Sequence, residues 1–331
     1  MPNRSLYFIS LLFGLLFVFN LSMGESFISP QELFQNLFSD SKINLIIINF
    51  RLPKALTAIL VGVALSVSGL LMQTLFRNPI AGPYVLGISS GASLGVSIVI
   101  MGAGLTGIAF ISNISILVGA LIGSIGMMLL LLSILRFVKD IMTLLIVGVM
   151  FGTFTASLSA ILQYFSPSFQ VKSFVLWTLG NLSTVSYSQL WIMFILIILS
   201  LVLVLYSLKG LNILLLGSDN LSNFGINKRQ LQISILISTA ILTGVVTAFC
   251  GPIGFVGIIV PHFSRMLIKT SDHIKLLPIT ALLGASLMLL SDILTQIPPN
   301  GMVLPINSVT AFVGIPFILW VLLKPNNKIG I

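Results

Sequence analysis

Long apolar runs, separated by short polar segments, dominate the pattern of hydrophobic and polar residues along the chain. Because about 20 apolar residues cross the hydrocarbon core of a bilayer as a helix, the pattern predicts ten membrane-spanning helices. The runs are 5–23, 53–76, 84–101, 114–135, 141–165, 189–208, 230–250, 256–268, 276–296 and 304–323. They are too long and too unbroken for the alternating strands of an outer-membrane barrel. The predicted fold class is therefore an all-α polytopic membrane protein.

Two of the runs leave an alternative open. The first follows Arg4, as in a signal peptide, but its apolar stretch Leu6–Met23 is longer than the roughly 7 to 15 residues of a signal-peptide core. We therefore expect it to be retained as a helix. The run 256–268 is short and follows Gly251-Pro252-Ile253-Gly254. This density of glycine and proline predicts a broken helix, whose freed backbone groups must face protein or water.

The composition indicates a chain that uses lipid as its solvent. Of the 331 residues, 57% are hydrophobic and 7% are charged, and the mean hydropathy is +1.15. A soluble chain of this length would carry about 80 charged residues, whereas this one has 16 basic and 7 acidic residues. Too little polar side chain is present to cover a water-facing globule of this size.

The basic residues predict the orientation of the chain. With the N-terminus inside and the runs alternating, twelve basic residues fall inside, namely Arg4, Arg77, Arg136, Lys139, Lys209, Lys228, Arg229, Arg265, Lys269, Lys275, Lys324 and Lys328. Four fall outside, namely Lys42, Arg51, Lys54 and Lys172. This bias follows the positive-inside rule and predicts that both termini are cytoplasmic.

Several kinds of chemistry are excluded by the residues available. The single cysteine, Cys250, cannot form an internal disulfide or a cysteine metal cluster, and His262 and His273 match no zinc spacing. No Gly-x-x-x-x-Gly-Lys-Ser/Thr motif occurs, so the chain does not bind ATP through a P-loop. The net charge of +9 does not indicate nucleic acid binding, because the basic residues form no dense run.

Small residues recur at a spacing of four in three ridges. The ridges are Gly87, Gly91 and Gly95; Gly119 and Gly123; and Gly148, Gly152, Ala156 and Ala160. Such ridges let helices approach closely in lipid, where packing rather than hydrophobicity drives association. They favour packing within the helix bundle over a translocation face.

Two motifs suggest rival function classes. Gly91-Ala92-Ser93-Leu94-Gly95 matches the G-x-S-x-G pattern of an intramembrane hydrolase. It lies inside an apolar run, however, and not in the strand–turn–helix that the nucleophile elbow requires. Asp292 is an acidic residue within a run, and intramembrane carboxylates serve ion coupling in secondary transporters. Its position near the outer end of the run favours a structural or docking role.

Several strings together resemble one family. They are Arg51-Leu52-Pro53-Lys54, Ser68-Gly69 with Gln73, Arg77-Asn78-Pro79-Ile80-Ala81-Gly82-Pro83, Gly251-Pro252-Ile253-Gly254-Phe255-Val256-Gly257, Pro261-His262-x-x-Arg265 and Gly314-Ile315-Pro316. In order and spacing they resemble the FecCD-type permeases, which are membrane subunits of bacterial ABC importers for ferric siderophores, haem and vitamin B12. The resemblance covers nearly the whole chain.

The resemblance implies a single transmembrane permease domain, 1–331, with ten helices in two inverted five-helix halves, 1–165 and 189–324. It implies a homodimer in the bacterial inner membrane, with two cytoplasmic ATPase subunits and an extracytoplasmic substrate-binding protein. The chain itself would be a non-catalytic subunit in contact with lipid, with no cofactor, metal or nucleic acid of its own.

Two partner sites carry over by position. A cytoplasmic coupling segment, 209–229, would insert into a groove on the ATPase, and its matching residues are Leu216, Gly217, Ser218, Asp219, Asn220 and Gly225. On the outer face, Arg51 and Lys54 match a basic pair that meets carboxylates of the binding protein. Gln296 stands where the B12 permease has a further arginine, which disfavours a B12-like partner.

The third site is the translocation pathway, which the family's fifth and tenth helices line. Its candidates here are Met150, Phe154, Gln163, Asn307 and Thr310, with Ser157, Ser159 and Ser308 as further polar residues. The expected function is ATP-driven import of an iron chelate, with ferric siderophore ranked before haem and vitamin B12 as the alternative within the family. An ion-coupled secondary transporter is the alternative from another class.

Overall fold

The computed structural model of the protein describes residues 2–24, 26–36, 42–106, 112–138, 140–217, 220–298 and 302–323. Within these ranges the regular structure is helical, with no strand. The helices are α1 (Pro2–Ser22), α2 (Pro30–Asn36), α3 (Lys42–Ile46), α4 (Leu52–Phe76), α5 (Ile88–Thr106), α6 (Asn113–Ile134), α7 (Ile141–Phe165), α8 (Ser168–Thr178), α9 (Tyr187–Leu216), α10 (Asn220–Asn223), α11 (Lys228–Cys250), α12 (Val256–Ile268), α13 (His273–Thr295) and α14 (Ile306–Leu323). A π-helical turn, Ile47–Arg51, joins α3 to α4, and a 3-10 turn, Pro83–Leu86, precedes α5.

Each of the ten apolar runs coincides with a helix. In the described ranges, six helices are long and apolar enough to cross a membrane, namely Lys42–Phe76, Asn113–Ile134, Ile141–Phe165, Tyr187–Leu216, Lys228–Cys250 and His273–Thr295. The remaining runs correspond to shorter apolar helices, Leu6–Ser22, Ile88–Gly102, Val256–Ile268 and Ile306–Trp320. The prediction of an all-helical polytopic membrane protein is confirmed, and the count of ten crossings stays a prediction.

Two helix boundaries differ from the apolar runs for local reasons. Helix α5 begins at Ile88, because Gly87 ends the preceding 3-10 turn with φ +72°. Helix α9 continues to Leu216 because its last turns bury apolar residues such as Leu211 and Leu214. Its 30 residues span about 45 Å, which exceeds the roughly 30 Å of bilayer hydrocarbon. The first part of the predicted coupling segment is therefore a continuation of α9.

Helices α4, α11 and α13 form the centre of the bundle. The apolar windows of these helices are 78%, 78% and 72% buried, against 33% or less in α6, α7 and α9. Helix α4 packs against both α12 and α13. A Cβ atom added to Gly62 would lie 2.2 Å from the Gly284 carbonyl oxygen, and one added to Gly69 would lie 1.7 Å from that of Gly257. The backbones themselves are thus in contact at both crossings.

Two of the predicted glycine ridges meet each other between α5 and α6. A Cβ atom at Gly123 would lie 2.0 Å from the Gly91 carbonyl oxygen, and one at Gly95 would lie 2.0 Å from that of Gly119. This contact is the one that the packing interpretation of the ridges predicts. Gly148, from the third ridge, packs against the 3-10 turn, where its Cβ atom would lie 2.9 Å from the Val85 carbonyl oxygen.

We predict that Gly69→Ala lowers the free energy of unfolding by about 1–3 kcal/mol, because the added methyl group meets backbone and forces α4 and α12 apart. The matched control is Gly126→Ala, since nothing lies within 4 Å of a Cβ atom at Gly126. The measurement is the thermal unfolding midpoint of both variants in detergent. Equal midpoints for the two variants would contradict the assigned role of the α4–α12 contact.

Candidate functional site

A buried carboxylate joins three helices at the N-terminal end of α4. Lys54 Nζ lies 2.9 Å from Asp292 Oδ1, and Asn20 Nδ2 donates to Asp292 Oδ2 at 3.0 Å. Gln296 Nε2 donates to the same Oδ2 at 3.2 Å. The Asp292 side chain is only 3% exposed, so its charge is balanced by Lys54 and its lone pairs are used within the chain. Asp292 therefore ties α1 and α4 to α13.

Arg51 lies beside this carboxylate but binds backbone carbonyls. Its Nη1 donates to the carbonyl oxygens of Leu21 and Ser22, both at 2.8 Å, and its Nη2 donates to that of Ser26 at 2.6 Å. The residue is 8% exposed. Because the last carbonyls of a helix have no partner within the helix, Arg51 caps the end of α1 and holds the chain that follows it. We call Asn20, Arg51, Lys54, Asp292 and Gln296 the Lys54 cluster.

The Lys54 cluster lines a cavity of about 660 Å³. Apolar side chains also line it, among them Ile46, Phe50, Met302 and Val303. The structure thus brings Arg51, Lys54 and Gln296, the three residues predicted for docking, to one cavity. The positive-inside count predicts that this end of the bundle faces the outside. Asn20 was not predicted, although a strongly polar residue within the first apolar run is a signal that could have indicated it.

A second polar cluster lies at the opposite end of α4. Asn212 of α9 donates from Nδ2 to Asp272 Oδ1 at 2.8 Å, and its Oδ1 accepts from the His273 backbone N–H at 2.8 Å. The His273 ring lies between Asn212 Oδ1, 2.7 Å from Nδ1, and the Thr74 hydroxyl, 2.8 Å from Nε2. Because Oδ1 is an acceptor, Nδ1 carries a ring hydrogen. Nε2 faces the Thr74 hydroxyl, which also donates to the Leu70 carbonyl oxygen at 2.9 Å. The Asn212 hydrogen bond holds the pKa of the Asp272 carboxyl below its usual value.

The last turn of α4 also binds α9 and α12. Arg77, which caps α4, donates from Nη2 to the Leu214 carbonyl oxygen at 2.7 Å. Gln73 donates from Nε2 to the Ile258 carbonyl oxygen at 2.9 Å, and its Oε1 accepts from Arg265. We call this set the His273 cluster; it contains Gln73, Thr74, Arg77, Asn212, Arg265, Asp272 and His273. Sequence reasoning did not predict the cluster, since its members lie on four helices far apart in the chain.

The predicted coupling residues follow directly on α9. Leu216 ends the helix and is exposed, and Asn220 Nδ2 donates back to its carbonyl oxygen at 2.8 Å. Gly217 and Gly225 adopt φ values of +129° and +70°, which favour glycine. Ser218 and Asp219 lie outside the described residues. The loop buries Leu221 and exposes Phe224, so it presents an apolar side chain at its surface.

The predicted pathway residues separate into two groups. Met150 and Phe154 lie exposed on α7, at 63% and 58%. Gln163, also on α7, is half-buried and donates from Nε2 to the Ser159 carbonyl oxygen at 3.2 Å. In contrast, Asn307 and Thr310 of α14 make internal contacts.

Asn307 stabilises the broken segment before α12, whereas Thr310 bonds within α14. Asn307 Oδ1 accepts from the Gly254 backbone N–H at 3.0 Å, and Thr310 donates to the Asn307 carbonyl oxygen at 3.1 Å. Tyr84, a half-buried residue of the 3-10 turn, uses its hydroxyl to bond both the carbonyl and the N–H of Ile253. The predicted break in the helix is therefore present, and its freed backbone groups face protein.

The hydrolase motif has no catalytic surroundings in the described part of the chain. Ser93 Oγ donates to the Ser89 carbonyl oxygen at 3.0 Å within α5. The His273 ring is bound by Thr74 and Asn212, and the His262 ring packs against Phe317. Neither histidine is hydrogen-bonded to Ser93, so the geometry gives no nucleophile–base pair.

Comparisons with known proteins agree on one family. The model of the FecCD transport family matches residues 11–324. The chain is 36% identical to the hemin transport system permease protein HmuU of Yersinia pestis, over 99% of this chain and 97% of that protein. It is 34% identical to the vitamin B12 import system permease protein BtuC of Klebsiella pneumoniae, over 98% and 95% of the two chains.

A solved structure gives the same result for the fold. It is an inward-facing ABC transporter assigned to the metal-chelate type, with a TM-score of 0.83 and 28% sequence identity. The match covers 98% of this chain and 100% of the solved one. The architecture described above is therefore that of a known transporter along its whole length.

We predict that Lys54→Met lowers the free energy of unfolding by about 3 kcal/mol, because it leaves a buried carboxylate without its counter-charge. The double variant Lys54→Met with Asp292→Leu should recover most of this loss, since no charge is then left buried. The control is Lys172→Met, which removes an exposed lysine. Thermal unfolding of the wild type, Lys54→Met, Asp292→Leu and the double variant completes the cycle, and additive losses in the double variant would contradict the ion pair.

Proposed function

The chain belongs to the FecCD transport family of ABC importer permeases, and from this premise we propose that it carries an iron chelate inward across the bacterial inner membrane. The match to the hemin permease along nearly the whole chain carries the proposal. Haem and ferric siderophore are the two cargos it includes. Vitamin B12 is kept as an alternative outcome of the uptake test. The B12 permeases match the chain over a similar length, but Gln296 departs from their pattern.

The proposed topology has ten crossings in two inverted halves, 1–165 and 189–324, with both termini cytoplasmic. Helices at all ten apolar runs and the inside bias of the basic residues support it. The packing also supports two halves: α4 contacts α12 and α13, and α11, the corresponding helix of the second half, contacts α5 and α6. An odd number of helices in each half inverts the second half relative to the first.

The proposed assembly is a homodimer with two ATPase subunits and a binding protein. Helix α7 supports the dimer, because only 17% of its apolar window is buried and it exposes Met150 and Phe154. The loop with Leu216 and Phe224 is the proposed ATPase contact, and the cavity at Lys54 is the proposed docking site for the binding protein. Because Asp292 balances the charge of Lys54, the net positive charge of the Lys54 cluster comes from Arg51. Charge complementarity there would steer docking and fix its register more than it adds affinity.

The proposed mechanism is alternating access. ATP binding closes the two ATPase subunits, and the loops between α9 and α11 transmit that movement. The translocation cavity between the two copies of the chain then changes the side of the membrane to which it opens. Nucleotide and binding protein must each favour a different state, because a ligand with equal affinity for both states shifts nothing. An ion-coupled mechanism has less support, since the intramembrane carboxylate Asp292 is engaged by Lys54.

We predict that a strain lacking this chain loses uptake of one radiolabelled iron source, ferric siderophore or haem, and that a plasmid copy restores it. Cobalamin uptake, measured in the same strains, is the comparison. Loss and rescue of cobalamin uptake alone would contradict the proposed cargo but keep the family mechanism.

We predict that Leu216→Ser combined with Phe224→Ser lowers co-purification of the ATPase subunit and abolishes ATP-driven uptake, because both side chains offer exposed apolar surface to the ATPase groove. The matched control is Asn223→Ser, a polar substitution at an exposed position of the same loop. Unchanged co-purification in the double variant would contradict the assigned contact.

A further inference from the structure

The α4–α13 pair is fixed at both ends and in the middle. At one end Lys54 pairs with Asp292 at 2.9 Å, and at the other the Thr74 hydroxyl lies 2.8 Å from His273 Nε2. Between them the backbones touch at Gly62. The 20 residues from Lys54 to Thr74 span about 30 Å of helix, which is the hydrocarbon thickness of a bilayer. The two helices therefore form one unit across the membrane.

The His273 end of this unit contacts the last turns of α9. The loop between α9 and α11, which we call the coupling loop, follows directly on those turns. Asn212, in the last turns of α9, binds the His273 ring and backbone, and the Leu214 carbonyl oxygen accepts from Arg77. Leu216, where the coupling loop begins, is within one helical turn of both contacts. A displacement of the loop therefore acts on α4 and α13 directly and does not depend on the lipid-facing part of α9.

The other end of the unit forms the wall of the proposed docking cavity. Lys54 of α4, Asp292 of α13 and Gln296, which directly follows α13, all line it. Helix α11 also begins at the coupling loop, but it leads to the broken segment at Gly251 and contributes no lining residue. Helix α9 reaches the same end through the Tyr187 hydroxyl, which donates to the Ile48 carbonyl oxygen. Of these helices, only α4 and α13 supply the ion pair at the cavity.

We propose that the α4–α13 unit transmits the state of the ATPase to the docking cavity, and that Thr74, Asn212 and His273 are the positioning residues that connect it to the coupling loop. This inference rests on the proposed function and adds the structural route from the coupling loop to the docking cavity. The Thr74–His273 contact is buried and the Asn212–His273 contacts are partly buried, and an unmade bond at a buried site costs more than one at the surface. By linkage, occupation of the cavity must change nucleotide affinity by the same factor.

The test uses a cysteine at the cavity. Met302 lines it and is 66% exposed, whereas Cys250, the native cysteine, is buried. We would measure the rate at which a membrane-impermeant maleimide labels Met302→Cys in the complex of the full chain with its ATPase subunits. The comparison is between nucleotide-free complex and complex trapped with ATP and vanadate. A coupling of ordinary size predicts a rate change of about fivefold or more.

Isosteric variants then isolate the connection. Thr74→Val removes the hydroxyl that meets His273, and we expect it to abolish the nucleotide-dependent rate change while Thr74→Ser retains it. Thr280→Val is the matched control, because Thr280 is equally buried on α13 and its hydroxyl has no hydrogen-bond partner within the described chain. Should Thr74→Val fail to fold, His273→Phe tests the same connection from α13 while keeping a ring of similar size.

Failure of this inference and failure of the proposed function give different results. A nucleotide response that survives both Thr74→Val and His273→Phe would overturn the inference. So would a Met302→Cys complex, otherwise unchanged, that imports its cargo while its labelling rate stays the same. In either case the permease function stands. Failure of the wild-type chain to assemble with an ATPase or to support uptake would instead refute the proposed function, and with it the inference.

Discussion

The contact of the α4 backbone with two neighbouring helices is the constraint on which the rest of the structure depends. Lipid offers no hydrophobic force between apolar helices, so their association relies on close packing and internal hydrogen bonds. Glycine at 62 and 69 lets α4 touch α13 and α12 without an intervening side chain. Only at that separation can Lys54 reach Asp292 at one end and Thr74 reach His273 at the other.

The polar residues of the bundle follow from the same constraint. A buried charge is tolerated when it is paired and hydrogen-bonded, and the Asp292 carboxylate has an ammonium and two amides around it. The polar groups at the two ends of α4 are largely used to hold helices to each other. Because they are engaged within the chain, they carry little information about the cargo.

The sequence predicted the helices well and their partners poorly, for a physical reason. Apolar run length reports burial in lipid, so every run coincided with a helix, and the glycine ridges of α5 and α6 met as expected. The end of α9 was missed because its last turns alternate buried and exposed residues beyond the continuous apolar run. Asn20, Thr74 and Asn212 were missed because each pairs with a residue distant in sequence, and only packing selects that residue.

Reconstitution of the chain with ATPase subunits and a binding protein, in lipid vesicles without any ion gradient, tests the importer function most directly. Uptake of the iron chelate would be followed with ATP and with a non-hydrolysable analogue. If the chain is an ABC importer permease, uptake requires ATP hydrolysis and is insensitive to ionophores. Uptake that proceeds without ATP when a proton or sodium gradient is imposed would contradict the account and indicate a secondary transporter.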